Sequence, residues 1–279
     1  MDLSAACLVP RRVDSAQEAR TVVAAEGAAI LGGLRHQEAA IAVGQQMLGA
    51  DCVRFGLQFE ATKDAQEKEA AMVAAQPADE RGRKRRFTGT EERMVPHNDG
   101  FGFGDYAPDY LFLWCERPDP VAGASFLVDG LALLDMLSAD SDPENRALAE
   151  FCWTVPIDHS EPNFPLAAHA PIARRLPGGR ACVRCHPNQA PAPGDPHAER
   201  ARRLIGRWGA LVTEARDAGP MFRVEVGEMI CVDNYRLTHG RDGYRDPARR
   251  MLSIWGWSAG AIAVPEGPLD IVRPVVRAS

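Results

Sequence analysis

Residues 14–25, DSAQEARTVVAA, set apolar and alanine positions at helical spacing behind a polar start, and predict a helix capped by Asp14 or Ser15. Ala28-Ala29-Ile30-Leu31, ahead of Gly32-Gly33, reads as a short buried strand with a turn after it. From His36 to Leu48 the spacing is helical again, with Ile41, Val43, Met47 and Leu48 as the apolar positions. Residues 60–86 are charged and rich in Ala and Gln, which leaves a polar helix or a poorly ordered loop.

From about residue 87 the pattern changes to short apolar runs separated by Gly, Pro and Asp. Tyr110–Cys115 and Ser125–Val128 read as buried strands, followed by helical patches at 130–138 and 144–152. Residues 155–196 show no periodicity, whereas 197–217 make the clearest helix of the second half. Met221–Val226, Met229–Val232 and Arg250–Trp257 are strand-like. No internal repeat is present. Helices first and many short strands later predict one domain, a β-sandwich or barrel dressed by helices. Its helical flank spans about 14–50, and its core about 87–258 with an insertion at about 140–217.

Composition narrows the function classes. A net charge of −6 argues against nucleic acid as the partner, because phosphate binding needs a basic footprint. The one basic run, Arg81-Gly82-Arg83-Lys84-Arg85-Arg86, sits among Lys, Glu and Asp and reads as a solvated loop. No apolar stretch reaches 18 residues, so no membrane span is expected. The N-terminus lacks the basic start and apolar core of a signal peptide, which points to a cytoplasmic protein with reduced thiols. Cys7, Cys52, Cys115, Cys152 and Cys231 stand alone among apolar neighbours, as small core residues do.

Several catalytic signatures are missing: there is no G-x-S-x-G, no G-x-x-x-x-G-K-[ST] and no H-E-x-x-H. Gly100-Phe101-Gly102-Phe103-Gly104 resembles a nucleotide loop, but no helix pattern follows it. What remains is His97-Asn98-Asp99 and, far downstream, His239 in DNYRLTHGRDGY. Two imidazoles and one carboxylate on one face of a metal form the 2-His-1-carboxylate set of non-haem Fe(II) oxygenases. On a strand, positions i and i+2 share a face, so His97 and Asp99 aim together while Asn98 points away. A distant strand must then supply the third ligand.

The ordered motifs HNDG, Tyr110–Cys115, GASFLVDG at 123–130, DNYRLTHGRDGY and RRML resemble the Fe(II)/2-oxoglutarate dioxygenases of the taurine dioxygenase and clavaminate synthase-like group. The resemblance spans roughly residues 20–258, with its diagnostic motifs confined to about 95–130 and 230–257. It implies a mainly β fold with flanking helices, the double-stranded β-helix or jelly roll. It implies His97, Asp99 and His239 as catalytic iron ligands, with Fe(II), 2-oxoglutarate and O2 as cofactor and co-substrates. Arg250, about 11 residues beyond His239 and with Arg249 beside it, takes the place of the arginine that pairs with the far carboxylate of 2-oxoglutarate. Ser125 stands where a hydroxyl residue adds a hydrogen bond to that carboxylate.

Departures from the family pattern carry information too. The arginine that grips a sulfonate in taurine dioxygenase is replaced by Ile254, which argues against a small sulfonate. Asp99 stands where the related halogenases have a small residue, so hydroxylation or desaturation is implied. Phe101, Phe103, Tyr106, Tyr235 and Trp255 are candidate pocket walls, and Arg241 is a candidate for an anionic group of the substrate. The partner expected is a small-molecule substrate, amino-acid-derived by the habit of the group, free or on a carrier protein, with homo-oligomerisation left open.

Cys182-Val183-Arg184-Cys185-His186 fits covalent haem attachment only in an exported protein. A loop or hairpin over the active-site mouth, with incidental thiols, is the favoured reading, and a zinc site using Cys182, Cys185, His186 and His169 or His197 is a second one. With it goes a different class of function, a non-catalytic jelly-roll binding or structural module with a vestigial metal site. His159, Glu161 and His169 lie in the same irregular section as further candidates for substrate contact.

Overall fold

The structure is a computed structural model and describes residues 1–57, 93–160, 168–246 and 248–265. The polar segment expected at 60–86, with its basic run, and Glu161 lie outside the described residues. The N-terminal flank runs through β1 (Arg11–Val13), helix α1 (Ala16–Glu26), β2 (Ala28–Leu31), helix α2 (Gln37–Leu48) and β3 (Cys52–Leu57). Ser15 rather than Asp14 caps α1, its hydroxyl accepting the Glu18 N–H at 3.2 Å. Then follow β4 (Tyr110–Arg117), β5 (Ser125–Asp129), helix α3 (Gly130–Ala139) and helix α4 (Pro143–Thr154). The irregular section holds only short strands: β6 (Ile157–Asp158), β7 (His169–Ala170), β8 (Ala173–Arg175), β9 (Ala181–Val183) and β10 (Ala190–Pro191). Helix α5 (Ala198–Ala218), β11 (Met229–Asp233), β12 (Leu237–Arg241) and β13 (Arg250–Ser258) complete the described elements.

Six strands form one sheet in the order β1-β2-β11-β4-β13-β3, antiparallel except for β1 and β2. Its central strands are apolar on both faces, and strand alternation sends the two sets in opposite directions. Phe112, Trp114, Cys231 and Ile254 pack with Val22, Val23 and Met47 of α1 and α2. Leu111, Cys115, Ile230, Val232 and Trp255 face the other way, against Leu127 of β5 and Leu237 of β12. β5 and β12 make a second, two-stranded antiparallel sheet, pairing His239 with Leu127 and Arg241 with Ser125. The far side of that sheet, Phe126 and Val128, meets Leu133, Leu148 and Trp208 of α3, α4 and α5. The layers therefore run helix, sheet, sheet, helix, with the interior between the sheets open to residues of β5, β12 and β13.

Two expectations change, and three strands appear that the apolar pattern did not predict. The fold is a mixture of helix and strand with a large antiparallel sheet, since the helices, α5 the longest, take as much of the described chain as the strands. Met221–Val226 is not a strand; Phe222 alone bridges to Ser125, through N–H···O bonds of 2.7 and 2.9 Å. Pro220 before it lacks an N–H, and the Gly227 turn after it leaves little length for a ladder. β1, β3 and β12 escape the apolar pattern because each mixes charged or functional side chains into a short run. No helix among the described residues is long and apolar enough to cross a membrane.

Candidate metal centre

β12 turns Leu237, His239 and Arg241 toward the interior between the sheets, in step with Leu127 and Ser125 of β5. Residues 94–97 run beside β12: Met94 N–H reaches the Arg241 carbonyl at 2.9 Å, and His97 and His239 exchange backbone bonds of 3.0 and 2.9 Å. His97 and Asp99 do not sit on a regular strand. A single bridge holds His97, and Asp99 already lies in the turn that Gly100, at φ +76°, completes. Gly240 is required next to His239, because a Cβ there would overlap the Phe126 ring.

The three side chains converge. His97 Nε2 lies 3.4 Å and His239 Nε2 3.5 Å from Asp99 Oδ1, and the imidazole centroids are 4.4 Å apart. All three donor atoms fall within 4.8 Å of one another, the one such group among the described residues. His97 Nδ1 meets the Val95 carbonyl at 2.9 Å, which keeps its proton on Nδ1 and turns the Nε2 lone pair inward. His239 Nδ1 is buried with no partner among the described residues. Burial, and then the neighbouring His97, hold the His239 pKa below its ordinary value. Burial works against ionised Asp99, but the His239 and His97 rings beside it outweigh burial and keep the carboxyl well below the usual range. Two neutral imidazoles and one carboxylate fit a ferrous ion.

Trp255, expected as a wall, does more: its indole N–H donates to Asp99 Oδ2 at 3.1 Å and leaves Oδ1 for the centre. Asn98 points away from the ligands and donates to the carbonyls of Asn234 and Leu237 at 2.8 and 2.9 Å, while its oxygen accepts Cys185 N–H. Asn234 in turn accepts Asp99 N–H at 2.9 Å and donates to the Asp99 carbonyl at 2.9 Å. Neither asparagine was singled out from the sequence; the only signal was the polar residue between two ligands.

The other candidates separate. Phe103 packs edge-on to Trp255, with centroids 5.8 Å apart, at the interior face. Phe101 and Tyr235 are core residues packed with Cys182, and the Tyr235 hydroxyl donates to the Ala107 carbonyl at 3.1 Å. Tyr106 is 41% exposed and contributes its carbonyl to Trp257. Ser125 and Arg241 pair across β5 and β12 on the site face. The structure does not bring Arg250 to them. Its side chain is 59% exposed and bonds Glu116 at 2.7 Å, in step with Leu252 and Ile254 on the helix side of the sheet. Arg249, one residue earlier, takes the opposite face and lines a small cavity with Ser125, Gly123 and Met251. Arg241 and Arg249 both lie over the Tyr244 ring, at 4.5 and 5.2 Å.

The C-x-x-C reading finds no support. Cys182 packs with Phe101 while Cys185 joins the core under α3–α5, and burial raises both thiols, Cys185 to about 12. His186 meets His159 at 3.3 Å, and His169 stands 3.7 Å from Asp158.

The family model for the taurine catabolism dioxygenase TauD, TfdA family matches residues 9–255. The chain belongs to this family. As a TauD, TfdA family member it is an Fe(II)/2-oxoglutarate-dependent dioxygenase, with Fe(II) as cofactor and 2-oxoglutarate and O2 as co-substrates. Solved structures share the fold at low sequence identity. A taurine dioxygenase from Burkholderia xenovorans superposes with a TM-score of 0.57 at 16% identity, covering 92% of this chain and 84% of its own. AAD-2, solved with Mn(II) and N-oxalylglycine, gives 0.60 at 13% identity over 94% of both chains. An asparagine oxygenase, solved with Fe(II), 3-hydroxyasparagine and succinate, gives 0.54 at 17% identity over 88% and 78%.

Proposed function

We propose that this family member hydroxylates, or desaturates, an unactivated C–H bond of a small amino-acid-derived metabolite. One observation carries the reading: the interior of the sheet pair joins a His-Asp-His donor set to a cationic end on the same face of β12. We take the two sheets as the jelly roll of a single oxygenase domain. His97, Asp99 and His239 would hold Fe(II), which with 2-oxoglutarate and O2 supplies C–H oxidation coupled to decarboxylation of the co-substrate to succinate.

The chain's own residues prepare that chemistry. The Val95 carbonyl fixes the His97 tautomer, and Trp255 fixes which Asp99 oxygen points inward. Arg249, assisted by Ser125, is the residue we assign to the far carboxylate of 2-oxoglutarate, in place of Arg250. Arg241 sits two residues beyond His239, about 7 Å along the strand, a span that suits a five-carbon dicarboxylate reaching from metal to guanidinium. Phe103, Trp255 and Leu127 keep water from the interior between the ends. The position four residues after Arg249 is Ser253, so the reading against a sulfonate substrate stands under either anchor. The amino-acid class rests on the family habit and on the likeness to the asparagine oxygenase.

Succinate release from 2-oxoglutarate, with Fe(II), ascorbate and a panel of free amino acids, tests this. His97→Ala and Asp99→Ala should abolish turnover; turnover surviving either change defeats the assignment of the centre. Arg249→Gln should raise the KM for 2-oxoglutarate, and Arg250→Gln should leave it unchanged.

A further inference from the structure

The loop between β12 and β13 carries Tyr244 and Arg249 and is tied down by backbone bonds and by one carboxylate. Gly123 N–H reaches the Gly243 carbonyl at 3.0 Å, and Asp242 N–H reaches the Ala124 carbonyl at 2.8 Å. Asp119 accepts the N–H groups of Arg245 and Asp246 at 2.7 and 2.8 Å through one oxygen. Its other oxygen accepts those of Val121 and Ala122, both at 2.8 Å. Arg249 N–H closes a turn onto the Asp246 carbonyl. Tyr244 projects from this framework, and its Cβ with the Arg249 side chain packs over Gly123, where a Cβ would come within 3.3 Å of Tyr244 and 3.4 Å of Arg249.

We propose that Tyr244 is a positioning residue, the shared platform on which Arg241 and Arg249 are held inward to receive the far carboxylate of 2-oxoglutarate. The proposal rests on the assignment of Arg249 above. The charged groups around the ring explain why an aromatic serves here. Asp119 spends both oxygens on backbone N–H groups, Asp242 Oδ1 pairs with Arg93 at 2.9 Å, and Arg223 bonds the carbonyls of Asp119 and Ala122. A carboxylate placed between the two arginines would neutralise them and compete with an incoming carboxylate. A ring face attracts both guanidinium groups through its quadrupole and itself adds no formal charge.

The test measures binding by calorimetry to Mn(II)-loaded enzyme without O2, using 2-oxoglutarate and pyruvate. Pyruvate keeps the 2-oxo acid end and lacks the second carboxylate. Tyr244→Leu should weaken 2-oxoglutarate about tenfold, the loss of a partly desolvated cation–π contact, and leave pyruvate unchanged. Tyr244→Phe should match wild type for both ligands. Equal weakening of both ligands in Tyr244→Leu, or loss of 2-oxoglutarate binding in Tyr244→Phe, overturns the platform role. If the leucine variant does not fold, Tyr244→Gln is read by the same comparison. Arg249→Gln separates the two levels. If it leaves 2-oxoglutarate affinity intact, the anchor assignment falls. If it weakens 2-oxoglutarate while Tyr244→Leu and Tyr244→Gln do not, only the role of Tyr244 falls.

Discussion

Trp255 reaches Asp99 from the inner face of β13, and a single N–H decides which carboxylate oxygen faces the two imidazoles. Trp255→Phe keeps an aromatic ring, removes that donor and leaves the space of the lost pyrrole ring empty. Metal affinity should fall about 10- to 100-fold, the usual effect of losing a group that orients a ligand, and the cavity should lower the thermal midpoint in the metal-free protein. A Mn(II) titration followed by tryptophan fluorescence checks it. Asn98 works on the opposite side. Its amide satisfies three buried backbone groups, so Asn98→Leu should destabilise the fold by about 3 kcal/mol in urea unfolding. These residues show what the sequence made legible. His97, Asp99 and His239 stood out because their residue types and order have few other uses. Asn98, Asn234 and the Trp255 bond did not, because their roles depend on which backbone groups the fold brings within reach.

At the scale of the element, the β12–β13 loop depends on one carboxyl group. Four backbone N–H donors hold Asp119 well below the usual carboxylate range. A group whose pKa is depressed on folding stabilises the protein fully above its unfolded value near 4, and loses that contribution as the pH falls toward the folded value. Asp119→Ala should therefore lower the thermal midpoint at pH 7, and the gap to wild type should narrow as the pH drops below 4. A gap that widens with acid would sink this account. The same loop shows why spacing alone does not tell which arginine faces the cavity. Counting from His239 selects Arg250, but the face an arginine takes is set by its phase on β13. That phase follows from Met251 pairing with Cys115 while Arg250 pairs with Arg117, a step that skips Glu116. The long, strongly periodic helices and the apolar strands β4, β11 and β13 were readable because burial on both faces leaves continuous hydrophobic runs. β12 was not, because three of its five residues are Thr, His and Arg.

For the whole molecule, the metal ligands come from a turn near residue 97 and a strand near 239, so an ion bound there closes a long stretch of chain. Metal at 100 times its dissociation constant should stabilise the folded state by about 2.7 kcal/mol. Calorimetry with and without Mn(II) should show a midpoint several degrees higher, and His239→Ala should show no such rise. Layering explains the coupling, since the thin β5–β12 sheet is pressed between the large sheet and α3–α5 and cannot shift without disturbing two cores. One consequence concerns errors of register. Two successive arginines at the head of β13 offer a guanidinium to either face of the sheet. A slip of β13 by one residue against β4 would exchange their faces and still turn one of them toward the cavity beside Ser125.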